Sequence, residues 1–234
     1  MRDVRQGFLF VVSGPSGAGK GAICAGLAAE TKIMLSVSMT TRSPRANEVE
    51  GKSYYFVDRT KFEETIAEAG FFEYAEIFGE YYGTPVAPVL KQLDKGMDVI
   101  LEIDVNGAMQ VREKIPDAVL IFIMPPSMEE LRRRIEGRGT ETPENIAYRL
   151  QHANSEIGQI MKYDYCVVND KLDKAIRDVG TIIKAERMLE KSREAMLTEM
   201  DDMKTIRQAA KMGVATCAEG IVKRYQSYGY KQKK

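Results

Sequence analysis

Gly14-Pro15-Ser16-Gly17-Ala18-Gly19-Lys20 can wrap a polyphosphate. The stretch satisfies the GxxxxGK part of the phosphate-loop pattern, and it stands after an apolar run and before a helical one, where such a loop has to stand. Glycines let successive backbone N–H groups converge on a β-phosphate. The helix that follows adds the positive end of its dipole, and Lys20 brings a point charge to the β and γ oxygens. A glycine turn that merely joined strand to helix would need neither the lysine nor so many glycines. The next position, usually Ser or Thr, is Gly21, and Ala22 carries no hydroxyl either. Mg²⁺ is therefore expected to be held through phosphate oxygens and water, with no direct protein ligand, which its habit of keeping several waters permits. The missing hydroxyl argues against a switch-type GTPase, which leans on it.

Other residues could do chemistry with an anion. Arg42 and Arg45 flank Pro44, with Tyr54 a little further on. They can form a compact receptor for a dianionic phosphate, or they can be a solvated loop. Glu102 and Asp104 lie two apart at the end of an apolar run, the end at which α/β sheets place ligands. If the strand continues through Asp104 they point to the same side; otherwise they cap a strand. Cys24, Cys166 and Cys217 are far apart with no CxxC spacing, which excludes a Cys-based zinc site and suits a reducing compartment. His152 is the only histidine and reads as a helix-surface residue.

The elements that must position these residues follow from periodicity. Apolar runs at Phe8–Ser13, Met97–Ile103, Ala118–Met124 and Tyr165–Val168 alternate with helical stretches such as Ala22–Ala29 and Met128–Ile135. Buried strands alternating with helices predict a doubly wound α/β fold, a parallel sheet covered on both faces. Residues 38–85 change character, with aromatics crowded into short alternating stretches around one helix at Thr60–Ala69; they read as an α+β insertion. Glu136–Thr142 is charged, glycine-rich and without large apolar groups, and Pro143 then opens a helix, a pattern expected of a mobile lid spanning 137–158. Core segments are then 1–37, 86–136 and 159–190, one catalytic domain over 1–190, with a helical extension over 191–234 whose Met196, Met200 and Met203 fall at helical spacing. Lys plus Arg equals Asp plus Glu at 34 each, so there is no global basic field to draw the chain onto nucleic acid or an anionic membrane. No apolar run approaches a membrane span and no signal-peptide pattern precedes the first strand, so a cytoplasmic location is expected.

Taken together, SVSMTTRSPRANEVEGKSYYFV, FFEYAEIFGEYYGTP, LEIDVNGA, RIEGRGTET and YDYCVVND resemble guanylate kinase, in the right order from about Phe8 to Arg187. The resemblance implies a P-loop NTPase-type fold and an ATP:GMP phosphotransferase that uses Mg²⁺, accepts GMP and also dGMP, and proceeds by direct in-line transfer. It assigns Arg42, Arg45, Tyr54 and Tyr82 to the phosphate of GMP. It sets Glu73 against the guanine N1 and N2 donors, Ser38 near O6, Thr84 at a position where a hydroxyl is usual, Asp104 on the base edge and Glu102 near the metal and phosphates. Adenine presents an acceptor where guanine presents its N1 donor, so a buried carboxylate would select against AMP by about 1.5–3 kcal/mol.

The same resemblance makes Arg134, Arg138 and Arg149 the transfer arginines, a class of contribution worth about 10³–10⁵ in rate. Arg132 and Arg133 read instead as a solvated helix face. No general base is visible and none is required, because a phosphate monoester with its second pKa near about 6 is already largely dianionic. Asn169 is expected near the adenine of ATP or as a turn residue. A guanylate-kinase-like module that holds phosphopeptides without catalysis is the competing class, and it is disfavoured because Lys20, Arg138 and Arg149 all stand. A kinase for another nucleotide would carry a different base pocket at Ser38, Glu73 and Asp104. The expected partners are ATP and GMP, with a homodimer through the terminal helix as a further hypothesis.

Overall fold

Every residue of the first strand, β1 (Leu9–Ser13), is buried, as a strand covered on both faces must be. In this computed structural model, residues 7–77, 79–137 and 143–189 are described. Arg138, Cys217 and the expected extension 191–234 lie outside the described residues. The chain divides into two units, Met1–Ile182 and Ile183–Lys234, and among the described residues every strand lies in the first.

After β1 come α1 (Lys20–Glu30), the short strands β2 (Met34–Leu35), β3 (Met39–Thr40) and β4 (Tyr55–Phe56), α2 (Arg59–Ala67) and the hairpin β5 (Phe71–Ile77) and β6 (Glu80–Pro85). Then follow α3 (Val86–Leu93), β7 (Val99–Glu102), α4 (Val105–Lys114), β8 (Val119–Met124), α5 (Met128–Glu136), α6 (Pro143–Ile157) and β9 (Tyr165–Val168). Among the described residues a further helix starts at residue 172.

Two sheets result. The first has the order β2-β7-β1-β8-β9, and all its pairings are parallel. One face packs Val11, Leu101 and Leu120 against Val89, Leu93, Ala108 and Val111 of α3 and α4. Ile23, Cys24 and Leu27 of α1 are buried as well. Each such side chain contributes about 1.5–3 kcal/mol by leaving water, and together they hold the strand ends, and the loops on them, in fixed register. The second sheet, order β4-β3-β6-β5, mixes parallel and antiparallel pairs and lies within residues 38–85. Phe62 of α2 stacks on Phe71 and Tyr81, with centroids 4.4 and 5.1 Å apart. That stack gives the small sheet a core of its own.

The structure decides one alternative that the sequence leaves open. The ladder that begins at Val99 ends at Glu102, and Asp104 is the N-cap of α4, its carboxylate accepting from Gly107 N at 2.7 Å. Aspartate at that position satisfies one of the orphan N–H groups of the helix. Glu102 and Asp104 therefore are not same-side residues of one continuous strand.

Candidate active site: a phosphate loop facing a carboxylate pocket

The loop from Gly14 to Lys20 leaves the end of β1 and enters α1 through Gly19, which has φ 93°. That left-handed conformation suits glycine, and a Cβ there would stand 2.3 Å from Asn169 Nδ2. The Asn169 side chain uses that closeness to donate to Ala18 O at 2.8 Å. Asn169 O accepts from Arg134 Nη2 at 2.9 Å, and Arg134 Nε donates to Glu130 at 2.8 Å. Asn169 is thus buried and fastened to the loop backbone. Arg149 Nη1 donates to Ser16 Oγ at 2.9 Å, which lays α6 against the same loop. Arg149 reaches the loop directly, and Arg134 is connected to it through Asn169. Arg133 is paired with Glu130 and far more exposed than Arg134, as a solvated face requires.

Lys20 Nζ donates to Gly14 O at 2.6 Å and Pro15 O at 3.2 Å. Burial lowers its pKa, while Glu102, Glu156 and Asp104 act in the opposite direction. Burial raises the pKa of Glu102, and Lys20 opposes that. A Cβ on Gly21 would lie 3.2 Å from Glu102 Oε1, so the carboxylate borders the space where a loop hydroxyl would stand. Among the described residues no group of three or more His, Cys, Asp or Glu could cage a metal. The Glu102 carboxylate beside the phosphate loop suits acceptance from metal-bound water.

The second half of the site lies on the insertion and on α4. Glu73, buried on β5, accepts from Thr84 Oγ1 at 2.6 Å across the β5–β6 pair. Its other oxygen faces α4, where a Cβ on Gly107 would meet Glu73 Oε2 at 2.9 Å and Asp104 Oδ1 at 3.3 Å. Any side chain at Gly107 would push the Glu73 carboxylate from this position. Burial raises the pKa of Glu73; the Thr84 hydrogen bond opposes this, and Asp104 adds to it.

Arg42 reaches over the Tyr54 ring, 5.1 Å from its centroid, and Tyr54 meets Tyr82 edge-on at 6.1 Å. Arg42 also forks onto Glu48 through two bonds of 2.7 and 2.6 Å. Arg45 joins the group by its backbone, donating from N to Glu48 Oε2 at 2.8 Å, and is itself exposed. Ser38 is half-buried, and its carbonyl accepts from Tyr55 N at 2.8 Å. His152 is exposed and bonded to the Tyr148 hydroxyl at 2.8 Å.

Sequence reasoning did not single out Glu48, Gly107 or Glu156. Glu48 stands six residues after Arg42 within the arginine-rich loop, a usable signal for a loop-closing ion pair. Gly107 and Glu156 sit in ordinary helical contexts, and nothing local marks them.

The guanylate kinase family model matches residues 6–186 of this chain. Guanylate kinase of Clostridium acetobutylicum is 52% identical over 78% of this chain and 88% of its own. That of Caldanaerobacter subterraneus is 52% identical over 78% of this chain and 89% of its own. Among solved structures, the guanylate kinase of Anaplasma phagocytophilum superposes with a TM-score of 0.64 at 38% identity, covering 79% of this chain and 88% of that one.

Proposed function

Because this chain belongs to the guanylate kinase family, we propose that it is an ATP:GMP phosphotransferase that makes ADP and GDP by direct in-line transfer. One observation carries the reading. Glu102 borders the phosphate loop at Gly21, and Asp104, two residues on, borders the Glu73 carboxylate through Gly107. A donor pocket and an acceptor pocket therefore meet at the junction of β7 and α4. Transfer between bound partners depends on that adjacency, because positioning and electrostatics supply most of the catalysis of phosphoryl transfer.

On this reading the loop N–H groups of Gly14–Gly21 take the phosphates of ATP, and Lys20 exchanges its two loop carbonyls for β and γ oxygens. Arg134 and Arg149 neutralise charge on the group in flight, and Arg138 belongs with them by its place in RIEGRGTET. Asn169 acts by holding the Ala18 carbonyl and Arg134, which orients the loop beneath the adenine end. Glu73, held by Thr84, accepts from guanine N1 and N2, with Asp104 on the base edge and Ser38 near O6. Arg42, Arg45, Tyr54 and Tyr82 receive the phosphate of GMP. Mg²⁺, arriving with ATP, supplies charge neutralisation at the phosphates. Glu102 fits its hydration shell, since the loop offers no hydroxyl at Gly21. No helix among the described residues is long and apolar enough to cross a membrane, which is compatible with action in the cytoplasm on free nucleotides.

The test is a coupled assay for ADP release with GMP, dGMP, AMP, UMP and CMP offered one at a time. Turnover is expected with the guanine nucleotides alone. Equal turnover with AMP would overturn the pocket assignment, and no turnover with any acceptor would favour a binding module.

A further inference from the structure

Arg42 and Glu48 form a bidentate pair in the loop that we assign to the phosphate of GMP. The end-on edge of the guanidinium is fully used: Nη1 donates to Glu48 Oε2 at 2.7 Å and to Ser43 O at 2.9 Å, and Nη2 donates to Glu48 Oε1 at 2.6 Å. Of the five N–H donors of an arginine, this leaves the Nε–H and one Nη2–H, the side-on edge. Those two make no hydrogen bond to a carboxylate or carbonyl among the described residues. The Tyr82 hydroxyl interacts with the guanidinium, and the Tyr54 ring lies 5.1 Å beneath it. One edge is saturated by Glu48 and Ser43, and among the described residues the other faces only the neutral Tyr82 hydroxyl, which a phosphate oxygen can join or replace.

Glu48 does more than pair. The same Oε2 accepts from Arg45 N at 2.8 Å, and Glu48 N donates back to Arg45 O at 3.0 Å. One carboxylate therefore closes the loop and fixes the rotamer of Arg42. Exposed ion pairs generally contribute little. This one is bidentate, networked and mostly shielded, with side-chain exposures of 14% and 18%. Two arginines without Glu48 would present more charge to a dianion, but an unheld guanidinium has to give up its rotamer freedom when the ligand arrives.

We propose that Glu48 is a positioning residue for the acceptor phosphate, keeping Arg42 with its side-on edge turned to the phosphate monoester, and that it stays paired with Arg42 when GMP binds. This rests on the assignment of Arg42, Tyr54 and Tyr82 as the phosphate receptor. The alternative is displacement, in which the incoming phosphate expels Glu48 from the guanidinium. The two have opposite signs. If Glu48 orients Arg42, its loss weakens GMP; if it competes, its loss tightens GMP.

The experiment measures GMP and guanosine binding by calorimetry on the full chain, wild type against Glu48→Gln and Glu48→Asp, with steady-state kinetics alongside. The expected result is that Glu48→Gln weakens GMP about tenfold and raises its KM to match. Guanosine affinity, kcat and the KM for ATP should stay within about twofold, and Glu48→Asp should recover part of the loss. Tighter or unchanged GMP binding in Glu48→Gln overturns the proposal. So does an equal loss for guanosine and GMP, which would make Glu48 a fold-holding residue only. Wild-type protein that binds guanosine as tightly as GMP would instead overturn the receptor assignment itself, a result separable from failure of the Glu48 variants.

Discussion

Thr84 donates its hydroxyl to Glu73 Oε1 across 2.6 Å in a buried site, and this bond leaves Oε2 as the oxygen turned toward α4. A hydrogen bond to a charged group is worth about 1.5–3 kcal/mol. Thr84→Val, nearly isosteric, should therefore raise the KM for GMP about tenfold or more and leave the KM for ATP unchanged, while Thr84→Ser retains most of the affinity. Side-by-side kinetics of the two variants decide the matter; an unaffected Thr84→Val enzyme would mean that the hydroxyl does not orient Glu73.

Burial pushes the Glu73 carboxyl upward, the Thr84 bond opposes it and Asp104 adds to it, so Glu73 should protonate at a higher pH than an ordinary glutamate. A raised acid is disfavoured as its anion in the fold. It therefore costs stability as pH rises from about 4.3, the ordinary glutamate value, through the raised value, and the cost levels off above that. On the proposed assignment guanine needs the anion. Guanosine affinity should accordingly fall as pH drops through the raised pKa, before surface carboxylates titrate. Guanosine is the right probe because the phosphate of GMP itself titrates near pH 6. Glu73→Gln should bind guanosine weakly with a flat profile over that range, and a persisting step there would assign the titration to another group.

Lys20 is desolvated among loop carbonyls and carboxylates, with its pKa lowered by burial. Lys20→Ala should lose about 10²–10³ or more in kcat, the scale seen when a preorganised charge-stabilising donor is removed. It should also melt somewhat lower than wild type, because Gly14 O and Pro15 O lose their donor and Glu102 loses its compensating charge. Calorimetric melting with single-turnover kinetics would reveal both effects, and near-normal turnover would end the phosphate-loop mechanism.

Asn169 ties β9 to the loop through Ala18 O at 2.8 Å. Asn169→Ala leaves a buried carbonyl without its donor and also removes packing at Gly19, at a cost of about 1–3 kcal/mol. At this size that corresponds to a fall of several degrees in Tm. ATP affinity should drop with it, since the loop backbone loses its brace, while guanosine affinity holds. Asn169→Asp should be worse than Asn169→Ala, because it sets an acceptor against an acceptor. A Tm within about 1 °C of wild type in Asn169→Ala would refute the bracing role.

Much of this could be read before the chain was folded. The runs at Phe8–Ser13 and Ala118–Met124 are apolar at nearly every position, and such runs are stable only as covered strands, so β1 and β8 followed with an error of one residue. The phosphate-loop pattern was legible because its glycines and lysine are contiguous and a loop of this kind binds phosphate mostly by local backbone. The end of β7 was not. Whether Asp104 extends a strand or caps a helix depends on where the sheet ladder stops, and that is decided by the partner strand.

Local pattern therefore determined the alternation of strands and helices, the phosphate loop and the residue types suited to anions. Only the tertiary structure decided which of those residues meet. Glu73 bonds Thr84 across a hairpin and shares Gly107 with Asp104, Arg149 reaches Ser16 from 133 positions away, and Asn169 reaches Ala18 from 151. Arg42 lies with one edge held by Glu48 and the other beside Tyr82. The physical reason is that hydrogen bonds and desolvation act over a few ångströms of space, whereas sequence spacing constrains distance only within one helix, strand or turn.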